Sequence, residues 1–185
     1  MKIDRVNDAI KLASILHEKQ YRKAGNVPYI SHPYAVGLVL TMAGCKEDVI
    51  IAGILHDTVE DSEYTLNELE IRFGKEVAHI VRECTEEDKT KPWKERKKSQ
   101  INRIKDSNLE VKYVKLADLL HNLNSIYECL ENDDNKVWKS FNASKDEIKW
   151  YYKSMIEALN SNVEESSYIL LYNELKIYYE LVFNR

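Results

Sequence analysis

Only three cysteines occur among the 185 residues, Cys45, Cys84 and Cys129, odd in number, far apart and without a CxxC pair. The chain therefore gives no sign of a disulfide framework or a zinc knuckle, and a reducing cytoplasm is its natural setting. An excess of basic residues is missing too. Lys and Arg number 27 against 31 Asp and Glu, a net charge of -4, which argues against generic nucleic-acid binding. An anionic ligand then needs a local basic patch. No apolar stretch approaches the length of a membrane span, and Met1 to Arg5 lacks the apolar core of a signal peptide. The chain is expected to be soluble, with no membrane partner. Alternating strand patterns, repeats and low-complexity segments are absent as well.

What is present is helical periodicity. The length suits one compact domain over residues 1–185, able to bury roughly 70 % of its unfolded surface. A motif-bearing core is expected at about residues 4–131, followed by C-terminal helices at about 136–185, with no room for a second catalytic domain. Val6, Ile10 and Ala13 mark a first amphipathic helix from about Asp4 to Gln20. Gly25 and Pro28 then interrupt the pattern and leave a basic loop carrying Arg22 and Lys23 toward His32, after which Pro33 can open a helix ending near Gly44. A helix with Glu47 and Asp48 in its first turn is expected to end around Glu60.

Thr65 to Glu68 is a capping box that opens a short helix terminated by Gly74, and another helix runs from Lys75 to about Thr85. Between Glu86 and Lys98 the chain is polar and rich in Lys and Arg, with Pro92 suited to a helix start. Most of these cations read as a solvated face, with one or two in reach of a ligand. A helical stripe returns from Leu109 to about Leu130. Beyond the spacer 132–135, a second capping box at Ser144 to Glu147 opens a helix to about Asn160, and Glu164 to Phe183 supplies the last. The expectation is an all-α bundle. Aromatic residues crowd the C-terminal third, among them Trp138, Trp150, Tyr151 and Tyr152, and at helical spacing they read as core.

One segment does not fit a bland bundle. The apolar run Asp48 to Leu55 reads as a buried helix, yet it ends in His56, Asp57, Glu60 and Asp61. Helical spacing puts His56 with Glu60, and Asp57 with both Glu60 and Asp61, on shared faces. Carboxylates so close repel unless a cation, or a partner such as Arg, sits among them, and a divalent ion is the economical explanation. Ser31-His32-Pro33 upstream and Lys115 to Asp118 downstream extend the cluster, and Asp118 shares a helix face with Asn122. Alone, Asp118 would suit an ion pair with Lys115, and His32 a turn histidine. His17 reads as a packing or hydrogen-bonding group, His79 as a helix-surface residue, and His121 as a group behind the ligands.

Four ordered segments carry a resemblance. Arg22 to Pro33, His56 to Asp61, Phe73-Gly74 and Lys115 to Leu123, with Thr85 to Pro92 and Glu95 to Lys97, resemble the HD-superfamily hydrolase domain of the RelA/SpoT alarmone enzymes. The small stand-alone metazoan type is the nearest form. The resemblance implies an HD-domain helical bundle that hydrolyses the 3′-pyrophosphate of guanosine tetraphosphate (ppGpp, or pppGpp) to GDP and pyrophosphate. It implies Mn²⁺ as the usual metal, with Fe²⁺ or another divalent first-row ion as alternatives.

By matching position it makes His32, His56, Asp57 and Asp118 the metal ligands and Glu60 with Asp61 the catalytic acidic pair. Glu60 then orients or deprotonates the attacking water, and Asp61 positions it or handles the proton of the leaving oxygen. Arg22, Lys23, Asn122 and Ser125 become substrate-binding residues. The chain departs from the family at Leu119 and Asn124, where cations are usual. That leaves open another HD phosphohydrolase activity, such as an NADPH 2′-phosphatase or a nucleoside monophosphatase, or an inactive nucleotide-binding protein.

Overall fold

The computed structural model describes residues 3–22, 27–86, 89–132, 134–160 and 163–184. Among these the regular elements are all α-helical, and the sole pairing of extended residues is an isolated antiparallel bridge between Tyr21 and Pro28.

The centre of the bundle is α3 (Glu47–Leu55), whose residues from Val49 to Leu55 are all buried. A helix apolar on every side must be covered on every side. Its neighbours are α1 (Ile3–Leu16), α2 (Ser31–Met42), α6 (Lys75–Cys84) and the long α8 (Leu109–Asn132). Two glycines let α2 and α3 approach closely. A Cβ on Gly37 would stand 2.5 Å from Ile54 Cγ1, and one on Gly53 would run into Leu40 Cδ1. This contact sets the start of α2, with His32, beside the end of α3, with His56.

The short α4 (Thr58–Asp61) and α5 (Leu66–Phe73) follow, and α5 carries the expected capping box of Thr65 and Glu68. On the outside, Arg5 of α1 donates to Glu47 at 2.7 Å and to the Phe73 carbonyl at 2.9 Å, tying three elements together. The basic α7 (Trp93–Asp106) packs on α10 (Lys145–Leu159), whose capping box is Ser144 with Glu147. The terminal α11 (Ser166–Phe183) lies along α8, and the short α9 (Asp134–Lys139) closes the chain path between α8 and α10. No helix among the described residues is long and apolar enough to cross a membrane.

Three expected boundaries move. The first helix stops at Leu16 instead of Gln20, where the His17 imidazole meets the Gln20 side chain at 2.6 Å and closes a turn. The helix expected to reach Glu60 ends at Leu55, and a turn at His56 and Asp57 separates it from α4. There the Thr58 hydroxyl donates to the Leu55 carbonyl at 2.6 Å, competing with the backbone ladder. The polar stretch at 132–135 was expected as a spacer, yet α9 begins within it.

Candidate metal centre

His32 enters from the first turn of α2, His56 and Asp57 from the turn after α3, and Asp118 from the middle of α8. The Nε2 atoms of the two histidines lie 3.2 Å apart. Asp118 Oδ1 is 3.3 Å from His32 Nε2 and 3.8 Å from His56 Nε2. Asp57 Oδ2 lies 3.1 Å from His56 Nε2 and 3.6 Å from His32 Nε2. Donor atoms of His32, His56 and Asp118 all fall within 4.8 Å of one another, and all three residues are buried.

The hydrogens are steered away from this convergence. A carbonyl only accepts, so His56 Nδ1, 2.7 Å from Gly53 O, carries a proton and turns Nε2 inward, where Asp57 and Asp118 outweigh burial and raise the ring's affinity for a second proton, a positive charge that a cation could supply instead. His32 Nδ1 is 2.8 Å from His121 Nδ1. Burial, with the neighbouring His32 and Arg22, pushes His121 down to about 4, so it is neutral at physiological pH and able to accept from His32. Two inward imidazole nitrogens with two carboxylates, each ring held from behind, form a donor set that fits a divalent first-row ion.

Asp118 makes the ion pair and still presents its other oxygen to the imidazoles. Its Oδ2 takes the buried Lys115 ammonium at 2.7 Å, while Oδ1 faces the imidazoles and accepts from Asn122 Nδ2 at 2.5 Å. Burial opposes its charge, yet Lys115 and the histidines hold it well below the usual carboxylate range. Asp57 is likewise lowered against burial, mainly by His56, and its Oδ2 accepts from the Tyr29 hydroxyl at 2.5 Å.

A cavity of about 520 Å³ opens over the centre, and the same walls include Glu60, Asp61, Arg22, Asn122 and Ser125. Lys23 lies outside the described residues. The break after α3 removes the helical face that spacing suggested for His56 and Glu60. Glu60 Oε2 instead accepts the Glu86 backbone N–H at 3.0 Å. Burial raises the Glu60 carboxyl; that N–H draws it down, and Asp57 adds to the rise. Asp61 is raised by burial and by Asp57, against the pull of Lys89, whose ammonium is 3.7 Å away. Arg22 donates to Asn122 Oδ1 at 2.7 Å and lies over the Tyr29 ring, 5.6 Å from its centroid.

Sequence reasoning passed over Tyr29, although it stands within the Arg22 to Pro33 segment, and gave Tyr151 and Tyr152 to the core. Both are buried and also line the cavity. Of the basic run, Arg96 and Lys97 line the cavity as well. Leu119 contributes an apolar wall where a cation is usual, and Asn124 turns to Glu128 at 3.0 Å.

Residues 9–147 match the HD domain family. A guanosine-3′,5′-bis(diphosphate) 3′-pyrophosphohydrolase of Mus musculus is 35% identical over 164 residues, covering 86% of this chain and 88% of its own. The bifunctional (p)ppGpp synthase/hydrolase SpoT of Escherichia coli is 33% identical over 131 residues, 68% of this chain and 18% of its own. Among solved structures, a Listeria monocytogenes protein superposes with a TM-score of 0.77 at 35% identity, covering 83% of this chain and 99% of that one. A metazoan orthologue of SpoT, which hydrolyses ppGpp and plays a role in starvation responses, gives 0.75 at 28% identity, covering 92% and 93%.

Proposed function

This chain belongs to the HD domain family, and from that premise we propose that it hydrolyses the 3′-pyrophosphate of ppGpp, giving GDP and pyrophosphate. One observation carries the reading: two imidazoles and two carboxylates from three separate parts of the chain converge beside an acidic pair, in one cavity. The likeness to named 3′-pyrophosphohydrolases over most of both chains supplies the substrate.

In this reading His32, His56, Asp57 and Asp118 hold a divalent ion, Mn²⁺ or Fe²⁺. When bound, such an ion supplies positive charge beside the phosphoryl oxygens and acidifies water. Glu60 takes a proton from the attacking water, and its raised proton affinity suits a base working nearer neutral pH. Asp61 orients that water or returns the proton to the ribose 3′ oxygen as the P–O bond breaks. Arg22, steadied by Asn122 and Tyr29, offers its remaining N–H groups to phosphate or guanine. Asn122 and Ser125, four and seven residues beyond Asp118 on α8, face ribose or phosphate, and Lys23 adds a further cation.

The 185 residues act as one domain, the C-terminal helices closing the cavity over the core at residues 4–131. Its setting is the cytoplasm, where its free thiols persist. The test is incubation of the Mn²⁺-loaded protein with ppGpp, pppGpp and NADPH, with products separated by chromatography. GDP and pyrophosphate from ppGpp, lost in Glu60→Ala and Asp118→Ala, are expected. Orthophosphate from NADPH alone overturns the reading.

A further inference from the structure

The inward stripe of α7 takes no part in the chemistry above. Trp93, Arg96, Lys97 and Gln100 share one helical face and line the cavity, while Lys94, Glu95, Lys98 and Ser99 are exposed. Gln100 is fixed from both ends, donating to Cys84 O at 3.0 Å and accepting from the Tyr151 hydroxyl at 2.9 Å. Lys97 Nζ lies over the Tyr151 ring, 4.6 Å from its centroid. Arg96 and Lys97 both grip the carboxylate of Glu86, a side chain only 5% exposed. The Arg96 Nε is buried without an acceptor among the described residues.

Among the described residues four cations line this cavity. Lys115 is committed to Asp118 in the metal centre, and Arg22 leans on the uncharged Asn122. Arg96 and Lys97 alone converge on one point, and what they hold there is a carboxylate with no assigned role in hydrolysis. A guanidinium fork and an ammonium around one buried anion, beside an aromatic wall, are the groups that bind a phosphate chain. The nucleotide of the proposed reaction carries two such chains, and the metal centre accounts for one.

We propose that Arg96 and Lys97 form a second phosphate subsite, for the 5′-diphosphate of the nucleotide, which the Glu86 carboxylate fills until that diphosphate displaces it. The substrate here rests on the functional reading above. The subsite supplies across the cavity the cations that Leu119 and Asn124 do not. The exchange leaves the Glu86 backbone N–H on Glu60, so the base keeps its hydrogen bond while the side chain swings away.

The experiment compares ppGpp with its 5′-monophosphate analogue on Arg96→Gln, Lys97→Gln and Glu86→Gln. For the first two, KM for ppGpp rises about tenfold to hundredfold, as loss of a charged hydrogen bond implies. KM for the analogue changes far less, and kcat holds within about threefold. Glu86→Gln lowers KM for ppGpp. An equal rise for both nucleotides, no rise for either, or a raised KM in Glu86→Gln overturns the proposal.

Calorimetry with GDP and GMP decides the matter even if the wild-type protein leaves ppGpp intact, or if Glu86→Gln does not fold. The wild-type preference for GDP disappears in Arg96→Gln and Lys97→Gln. Its persistence in both, or its absence from the wild type, overturns the subsite without touching the hydrolase reading.

Discussion

The Nε2 atoms of His32 and His56 stand 3.2 Å apart, although the two residues open and follow different helices. Holding them there beside two carboxylates favours a bound cation. Mn²⁺ at one hundred times its dissociation constant should stabilise the fold by about 2.7 kcal/mol and raise Tm by about 5–10 °C. Thermal unfolding with Mn²⁺ and with a chelator measures this. No shift, or an equal shift in Asp118→Ala, removes the metal centre from the account.

His121 stands behind His32 at 2.8 Å and orients its ring. Replacing it with Ala should weaken Mn²⁺ binding by about tenfold to hundredfold while the helical circular dichroism is unchanged. Titration calorimetry reads the affinity, and an unaltered constant refutes the orienting role.

The Glu60 carboxylate takes the Glu86 backbone N–H and is not part of the converging donor group of His32, His56 and Asp118. Glu60→Gln should therefore keep wild-type Mn²⁺ affinity and lose about 10²–10⁴ in kcat. A variant that loses the ion together with activity moves Glu60 out of the role of base.

The α2–α3 contact leaves no space at Gly37, where an added methyl meets Ile54. Gly37→Ala should cost about 1–3 kcal/mol in urea unfolding and reduce Mn²⁺ affinity by spreading the histidines. A stability equal to wild type refutes the close packing.

Burial raises the Glu86 carboxyl, but Lys97 and Arg96 outweigh it and hold the group below the ordinary glutamate range. A depressed folded value contributes stability above the unfolded value, and that stability is lost as pH falls through the folded one. Lys97→Met should thus move the acid-unfolding midpoint to higher pH, read by circular dichroism. A midpoint unchanged or shifted downward contradicts the pairing.

Much of this is legible in the sequence, for identifiable reasons. A seven-residue apolar run ending in His56 and Asp57 is too costly to be incidental, and the two capping boxes read true because their bonds are local. The convergence of His32 with Asp118 needs the resemblance, since they stand 86 positions apart (118 − 32) and no periodicity links them. What sequence misplaced or left open depended on tertiary context. Thr58 breaks the helix by a side-chain bond that composition does not reveal. Arg96 and Lys97 are indistinguishable in sequence from the exposed Lys94 and Lys98 until α10 covers one face of α7. Sequence sets an ion pair of Asp118 with Lys115 against a place among the imidazoles, whereas a carboxylate has two oxygens, one on Lys115 and one facing His32.

Asp118, Asn122 and Ser125 ride on a single rigid rod, α8, clamped along its length by α11. One residue inserted upstream in that rod turns all three by about 100° together, so the proposed cation and nucleotide contacts would be forfeited at one stroke. Side chains of α7 on the opposite bank of the cavity, by contrast, can be exchanged one at a time without moving those three.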